Sequence, residues 1–275
     1  MSFHIIIEPG RTEKNYWKDI WRYRELFYIL SWRDIKVRYK QTALGILWAI
    51  IRPLLTMLVF TFIFGRLAKM PLGGEAPYAI MVFAGLLPWY FFSNAVTESS
   101  NSLVGNQNLI TKVYFPRLII PASSVITSFI DFLISFVILF GLFIYYGYLP
   151  PVTIFLLPVF WVFMFMASLG PGLYLTALNV KYRDFRYIIP FIVQFGLYIS
   201  PVGFSSSIVP EQWKWVYYLN PMAGVIDGFR WCIVKNAPNP LLDYPFYISL
   251  TVTVFMMVLA LYQFRRMEKN FADLI

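Results

Sequence analysis

The sequence predicts an all-α integral membrane protein: six transmembrane helices, an N-terminal amphipathic interface helix and a re-entrant helical hairpin before the last span. Three observations predict it. Of the 275 residues 59% are hydrophobic and only 13% charged, against about 45–50% apolar and about 25% charged in soluble domains. Six apolar stretches approach or exceed the roughly 20 residues that a helix needs to cross the hydrocarbon core. The Lys and Arg residues, finally, gather in alternate connections between those stretches, as they do where one side of a membrane is cytoplasmic.

The chain begins with an arm, residues 1–43, that lacks the apolar core and small-residue cleavage site of a secretory signal. The apolar run at 3–7 is too short, and 17–40 is dense in charge. Within 17–31, Trp17, Ile20, Trp21, Phe27 and Tyr28 share one helical face opposite Lys18, Asp19, Arg22 and Glu25, the pattern of a helix lying in the membrane interface. A plain belt of aromatic and basic anchors is the alternative.

The spans fall near residues 44–65, 78–99, 119–147, 153–179, 187–203 and 245–264, in one membrane domain, 44–265, followed by a tail, 266–275. The fifth is the shortest, interrupted by Gly196 and bracketed by Pro190 and Pro201. Such breakers are tolerated in a membrane where neighbours or water satisfy the freed backbone groups. With both termini cytoplasmic, seventeen Lys and Arg lie inside and five outside, namely Arg66, Lys69, Lys214, Arg230 and Lys235. The charge asymmetry therefore predicts a multi-pass protein of the inner (plasma) membrane with both ends in the cytoplasm.

The outer connection, 204–244, is too apolar for a solvated loop. It holds Phe204, Trp213, Trp215, Tyr217, Tyr218, Phe229 and Trp231, with breakers at Pro210, Pro221, Pro238 and Pro240. Two short helices that dip into the outer leaflet and return satisfy that pattern, because irregular backbone at depth needs protein or water around it. A small lid on the outer surface is the alternative. The four aromatics Trp213, Trp215, Tyr217 and Tyr218 are the candidate outer gate.

Several chemistries are excluded. No G-x-x-x-x-G-K-[ST] loop occurs, so the chain is not itself a P-loop ATPase. H-E-x-x-H and G-x-S-x-G are absent as well, and the single histidine is His4. Cys232 is the one cysteine, which rules out an internal disulfide and a cysteine-rich metal site. No catalytic residue, metal site or cofactor is expected in this chain. The net charge of +9 is spread between apolar runs rather than over one patch, so nucleic acid is not an expected partner.

Four stretches resemble the type 2 permeases of ABC exporters, and within them the subunits that move lipid-linked polysaccharide of the O-antigen or teichoic acid type. They are RDIKVRYKQTALGILWAIIRPL at 33–54, NLITKVYFPR at 108–117, KYRDFRY at 181–187 and LNPMAGVIDGFRW at 219–231. The resemblance implies a homodimer bound to two separate nucleotide-binding subunits, which hold the ATP and Mg and do the hydrolysis. It implies an undecaprenyl-type lipid-linked polysaccharide as the substrate, passing along the dimer axis among membrane lipids. It also names the short cytoplasmic element near 106–117 the coupling helix.

Residue chemistry gives each part of that expectation candidates. A permease without a nucleotide site must receive force through a short polar element. Asn106, Gln107, Asn108, Lys112, Tyr114 and Arg117 are expected to contact the ATPase, with Lys181, Arg183 and Asp184 as a smaller contact; topology alone also accounts for these basic residues. Phe191, Phe195 and Tyr198 recur at helical spacing beside Gln194, and Trp89, Tyr90 and Phe92 follow Pro88. Aromatic faces stack on the C–H faces of sugars, so these are the candidate polysaccharide path, with packing or lipid contact as the alternative. Arg38 and Arg52 at the inner end of the first span are candidates for an anionic lipid head group, since the planar guanidinium fork suits phosphate. Asp131, in the third span, is expected either to pair with a basic residue or to donate when protonated.

The predicted function is thus the membrane subunit of an ATP-driven exporter. A type 2 permease for drugs or small lipids remains open, and so does a membrane-embedded glycan-lipid transferase. The transferase needs convergent carboxylates, whereas Asp34, Asp131, Asp184 and Asp227 show no paired spacing.

Overall fold

A computed structural model describes residues 16–40, 45–71, 73–269 and 271. His4, the arm before Tyr16, residues 41–44 of the first resembling stretch and half of the 266–275 tail lie outside the described residues. The described chain is helical and, apart from one isolated bridge between Glu75 and Lys235, carries no β pairing.

Two helices open the fold, α1 (Tyr16–Arg22) and α2 (Arg24–Lys40). The single interface helix expected over 17–31 is therefore interrupted at Tyr23 and runs on to Lys40. Its expected apolar face is also redistributed: Leu30 is buried with Leu26, Phe27 and Tyr23 packed beside it, whereas Trp17, Trp21 and Tyr28 stand exposed. Long apolar helices follow. α3 (Gly45–Phe60) continues as a π-helical segment, Thr61–Leu67. α4 (Tyr78–Gly105) is succeeded by the six-residue α5 (Gln107–Lys112) and by α6 (Ile119–Tyr146). A short 3₁₀ turn, Val152–Leu156, leads into α7 (Leu157–Lys181), and α8 (Phe185–Ile199) follows. α9 (Glu211–Tyr217) and α10 (Pro221–Ile233) form a hairpin ahead of α11 (Tyr244–Glu268).

Five of these, counting α3 with its extension and α7 with its leading turn, are long and apolar enough to cross a membrane; α8 is a shorter apolar helix. At about 1.5 Å per residue, the 15 residues of α8 span roughly 22 Å, less than the roughly 30 Å core. The expected fifth span ran to 203. It stops at Ile199 because Pro201 has no N–H to continue the ladder, and the residues after it turn back toward α4. Span two runs the other way, six residues past its expected end at 99, and so carries α4 down to the start of α5.

α4 is the mast of the fold. It is buried along most of its length and packs on α3, α6, α7, α8 and α10. α11 lies against α7, and α10 is wedged among α4, α7 and α11. Small residues permit that wedge, as is usual where membrane helices approach closely. A Cβ on Gly228 would come within 1.9 Å of the Phe160 ring. Aromatic rings fill the α4–α6–α7 junction, where Phe91 meets Phe129, Phe132 and Phe165 at centroid distances of 4.9–6.1 Å. A second apolar cluster, around Leu30, Leu103, Ile110, Phe115, Phe264 and Phe271, closes the end of the bundle where α2, α5 and α11 meet.

Candidate functional site

At that end α4 gives way to α5 through Asn106. The Asn106 side-chain amide donates to the carbonyl of Ser102 at 2.8 Å, and its carbonyl oxygen accepts from Arg33 of α2 at 2.9 Å. A six-residue helix has little stability of its own, so α5 is held from its flanks. Ile110 and Phe115 are buried in the closing cluster. Gln107, Asn108, Thr111, Lys112, Val113 and Tyr114 are left facing outward. Arg117 turns inward: its backbone N–H donates to the Glu268 carboxylate at 2.7 Å and its guanidinium to the Glu268 carbonyl. One turn earlier on α11, Arg265 lies 4.7 Å over the ring of Tyr16. Burial and the nearby Glu268 carboxylate push the Tyr16 hydroxyl above its usual range.

Of the residues expected to meet an ATPase, Gln107, Asn108, Lys112 and Tyr114 are therefore displayed, while Asn106 and Arg117 brace the element from behind. Lys181, Arg183 and Asp184 are exposed in the turn between α7 and α8, with Lys181 4.8 Å over the Tyr182 ring. A polar seam brings that turn to the same end of the bundle. Thr176 donates to the carbonyl of Ser99 at 2.9 Å, and Asn179 donates to the carbonyl of Ser100 at 2.9 Å and to the Asn101 side chain at 3.2 Å. The run Ser99-Ser100-Asn101-Ser102 and the pair Thr176/Asn179 are the signal that sequence reasoning passed over. Within a membrane each such bond is worth about 0.6 kcal/mol on average.

Between α2, α3, α4 and α6 lies a cavity of about 160 Å³ whose polar lining includes Arg38, Arg52, Asn94, Ser128, Asp131 and Ser135. Asp131 has the basic partner expected of it. Its carboxylate lies 2.9 Å from Arg38 and also accepts from the Tyr39 hydroxyl. Arg38 reaches Glu98 of α4 as well, at 3.0 Å. Arg52 stacks 5.4 Å over the ring of Tyr90, whose hydroxyl donates to Thr56 at 2.6 Å. Arg38 and Arg52 thus share one chamber, and Tyr90, expected beside the polymer, is part of its wall.

The aromatic candidates divide. Phe191 and Phe195 stack at 6.0 Å with 12° between their planes, and with Gln194 and Tyr198 they form an exposed column on α8. Trp89 does not join them. It is 3% exposed, tilted against Phe92 at 5.3 Å, and packed where a Cβ on Gly196 would come within 2.7 Å of its ring. Four consecutive aromatics, 89–92, visit every face of a helix, and the faces of α4 are nearly all covered.

The hairpin also separates its candidates. Trp213 and Trp215 are exposed, whereas Tyr217 and Tyr218 turn inward, and the Tyr218 hydroxyl donates to Asp227 at 2.6 Å. Arg230, counted from sequence among the basic residues of the outer side, is 5% exposed. It donates to the carbonyls of Phe204 at 2.6 Å, Val202 at 2.7 Å and Met81 at 3.4 Å. Pro201 follows the end of α8, and two of the carbonyls that Arg230 takes, Val202 and Phe204, belong to the non-helical segment after that break; the third, Met81, lies in α4.

The ABC-2 type transporter family model matches residues 25–234, from the start of α2 to the end of the hairpin. The chain belongs to the ABC-2 type transporter family. As a member, it is a transporter permease subunit and a multi-pass membrane protein. It is similar to the O-antigen export system permease protein RfbA of Klebsiella pneumoniae, 27% identical over 91% of this chain and 95% of the relative. The protein of the same name from Myxococcus xanthus is 28% identical over 78% of this chain and 82% of its own length. The polysialic acid transport protein KpsM of Escherichia coli is 23% identical over 85% and 90%. For this permease the match covers the hairpin and all the helices that build the cavity and the α5 surface.

Proposed function

We propose that this chain is the membrane subunit of an ATP-driven exporter that carries a lipid-linked polysaccharide, of O-antigen type, from the cytoplasm across the inner membrane. It works as a homodimer with two separate nucleotide-binding subunits, which bind ATP and Mg. The observation that carries the mechanism is the mounting of α5: two apolar pegs, Ile110 and Phe115, hold a short helix whose polar face points outward. The substrate class is supported by near full-length similarity to permeases named for O-antigen and polysialic acid transport.

In this reading the end of the bundle bearing α2, α5 and the α7–α8 turn is cytoplasmic, in line with its load of Lys and Arg. Closure of the ATPase subunits pushes Gln107, Asn108, Lys112 and Tyr114, with Lys181, Arg183 and Asp184 as a second foothold. Because α4 runs unbroken from α5 to the far end, where α10 and Arg230 are anchored to it, a push on α5 is carried the length of the membrane. The exposed aromatic column of α8 faces the axis between two copies, where Phe191, Phe195 and Tyr198 offer weak, repeated contact to sugar rings. Trp213 and Trp215 border the outer exit. Arg38 and Arg52 receive the anionic head group of the carrier lipid.

The test is genetic and biochemical together. Deletion of the gene is expected to leave lipid-linked glycan inside the cell and none at the surface, and the tagged chain is expected to co-purify with an ATPase subunit. Normal surface glycan in the deletion strain would overturn the function.

A further inference from the structure

The cavity and the coupling element are built on the same helix. We infer that α2 is a lever, through which a phosphate-bearing head group bound beside Arg38 and Arg52 signals to the coupling turn at Asn106. The inference rests on the exporter reading and adds to it the way in which substrate arrival reaches the ATPase.

The geometry distinguishes a fulcrum from a releasable arm. Arg38 bridges two carboxylates of different standing. Asp131 is 14% exposed and is gripped a second time by Tyr39, the next residue on α2. Glu98 is 49% exposed and reaches Arg38 at 3.0 Å. An exposed ion pair contributes only about 0.2–1 kcal/mol, whereas a charged group at membrane depth is costly to leave unpaired. A phosphate entering the cavity therefore displaces Glu98 from Arg38 and leaves Asp131 in place. Arg52 supplies the second cation. It lines the same cavity, stacks on Tyr90 and forms no ion pair among the described residues.

The other end of the lever is Arg33. It sits five residues before Arg38, about 7–8 Å along the axis at 1.5 Å per residue, and donates to Asn106 at 2.9 Å. The bond from Arg38 to Glu98 and the bond from Arg33 to Asn106 both tie α2 to the C-terminal part of α4 and its turn. Exchange of Glu98 for a phosphate lets α2 pivot about Asp131, and Arg33 carries that motion to the residue from which α5 starts.

The two ends predict separable effects on the purified complex with its ATPase subunits in lipid nanodiscs. Farnesyl diphosphate serves as the probe, with farnesol and inorganic diphosphate as controls, and hydrolysis is followed as the probe is titrated. Farnesyl diphosphate is expected to stimulate ATPase activity and farnesol is not. Glu98→Gln is expected to lower the half-maximal concentration about threefold, the worth of one exposed pair, with the maximum unchanged. Arg33→Gln is expected to remove most of the stimulation while leaving the half-maximal concentration where it was. Both positions are exposed, so neither substitution threatens folding. Equal effects of the two variants on one parameter would overturn the lever. Stimulation by inorganic diphosphate as strong as by the farnesyl compound would overturn the lipid assignment. Loss of the exporter reading is distinguishable, since it appears in the wild type as absence of an ATPase complex and takes the lever with it.

Discussion

The backbone N–H of Arg117 is bound by the carboxylate of Glu268 at 2.7 Å, although the two residues are 151 positions apart. This bond closes a ring around one end of the bundle, from the segment after α5 through α6 and α7 to the last turn of α11. Because Arg117 also donates its guanidinium to the carbonyl of the same residue, Glu268 sets where the segment after α5 sits.

Glu268→Ala is accordingly expected to be costly in two ways. It strips the half-buried Arg117 N–H of its acceptor, at roughly 1–3 kcal/mol, read as a lower melting temperature of the purified permease, while the backbone carbonyl that takes the Arg117 guanidinium stays. It also loosens the mounting of α5, so export is expected to fall more than ATP hydrolysis. Glu268→Gln keeps an oxygen for the Arg117 N–H and is expected to restore most of the stability. Equal melting temperatures for Glu268→Ala and wild type would remove the brace.

Gly228 and Phe160 make a second, independent test, of the hairpin. Since a Cβ at 228 would lie 1.9 Å from the ring, Gly228→Ala is expected to cost roughly 1–3 kcal/mol by overpacking. Shrinking the opposing ring should recover it, so the double variant Gly228→Ala/Phe160→Leu is expected to melt above Gly228→Ala alone. A single variant as stable as wild type would place α10 further from α7 than described.

Arg230 is the test of the tie between α8, α4 and α10. Arg230→Met keeps much of the side-chain volume but deprives the carbonyls of Met81, Val202 and Phe204 of their donor. The expected loss is about 2–6 kcal/mol, because the Val202 and Phe204 carbonyls are left unpaired at roughly 1–3 kcal/mol each, whereas Met81 keeps its place in the α4 ladder. Arg230→Lys keeps the charge without the planar fork and is expected to fall between the two. The measurement is resistance to heat in detergent, and an Arg230→Met protein indistinguishable from wild type would exclude the tie.

These residues mark where the sequence was readable and where it was not. The long apolar runs announced α3, α4, α6, α7 and α11, because length and hydropathy are local properties and a bilayer leaves few alternatives to a helix. The hairpin at 211–233 was readable from its prolines and its excess of aromatics. Arg230 was not: it counted only as one of the outer basic residues, and only the three-dimensional fold shows that the carbonyls of Val202, Phe204 and Met81 converge on it. Arg33 and Asn106 lie 73 positions apart, and no periodicity links them. Asp131 lay between, since its cost in a membrane called from sequence alone for either a basic partner or protonation, and only the fold shows that Arg38 is that partner.

The last prediction separates packing aromatics from working ones. Phe191, Phe195 and Tyr198 are 67%, 57% and 60% exposed in one chain, whereas Trp89 is 3% exposed. Exposed side chains contribute little to the stability of the chain that carries them, and a fully buried large aromatic contributes roughly 3–5 kcal/mol against alanine. Trp89→Ala is therefore expected to lower the melting temperature and the yield of folded permease. Phe191→Ala, Phe195→Ala and Tyr198→Ala are expected to melt within a degree or two of wild type, since surface changes stay within about 0.5 kcal/mol, and yet to reduce surface glycan. Stacking on sugars needs only a ring, so Phe195→Trp and Phe191→Tyr should retain export where alanine does not. If instead wild type runs as the proposed dimer on size exclusion and the alanine variants as monomers, the column is a subunit contact and its proposed role as the sugar path fails.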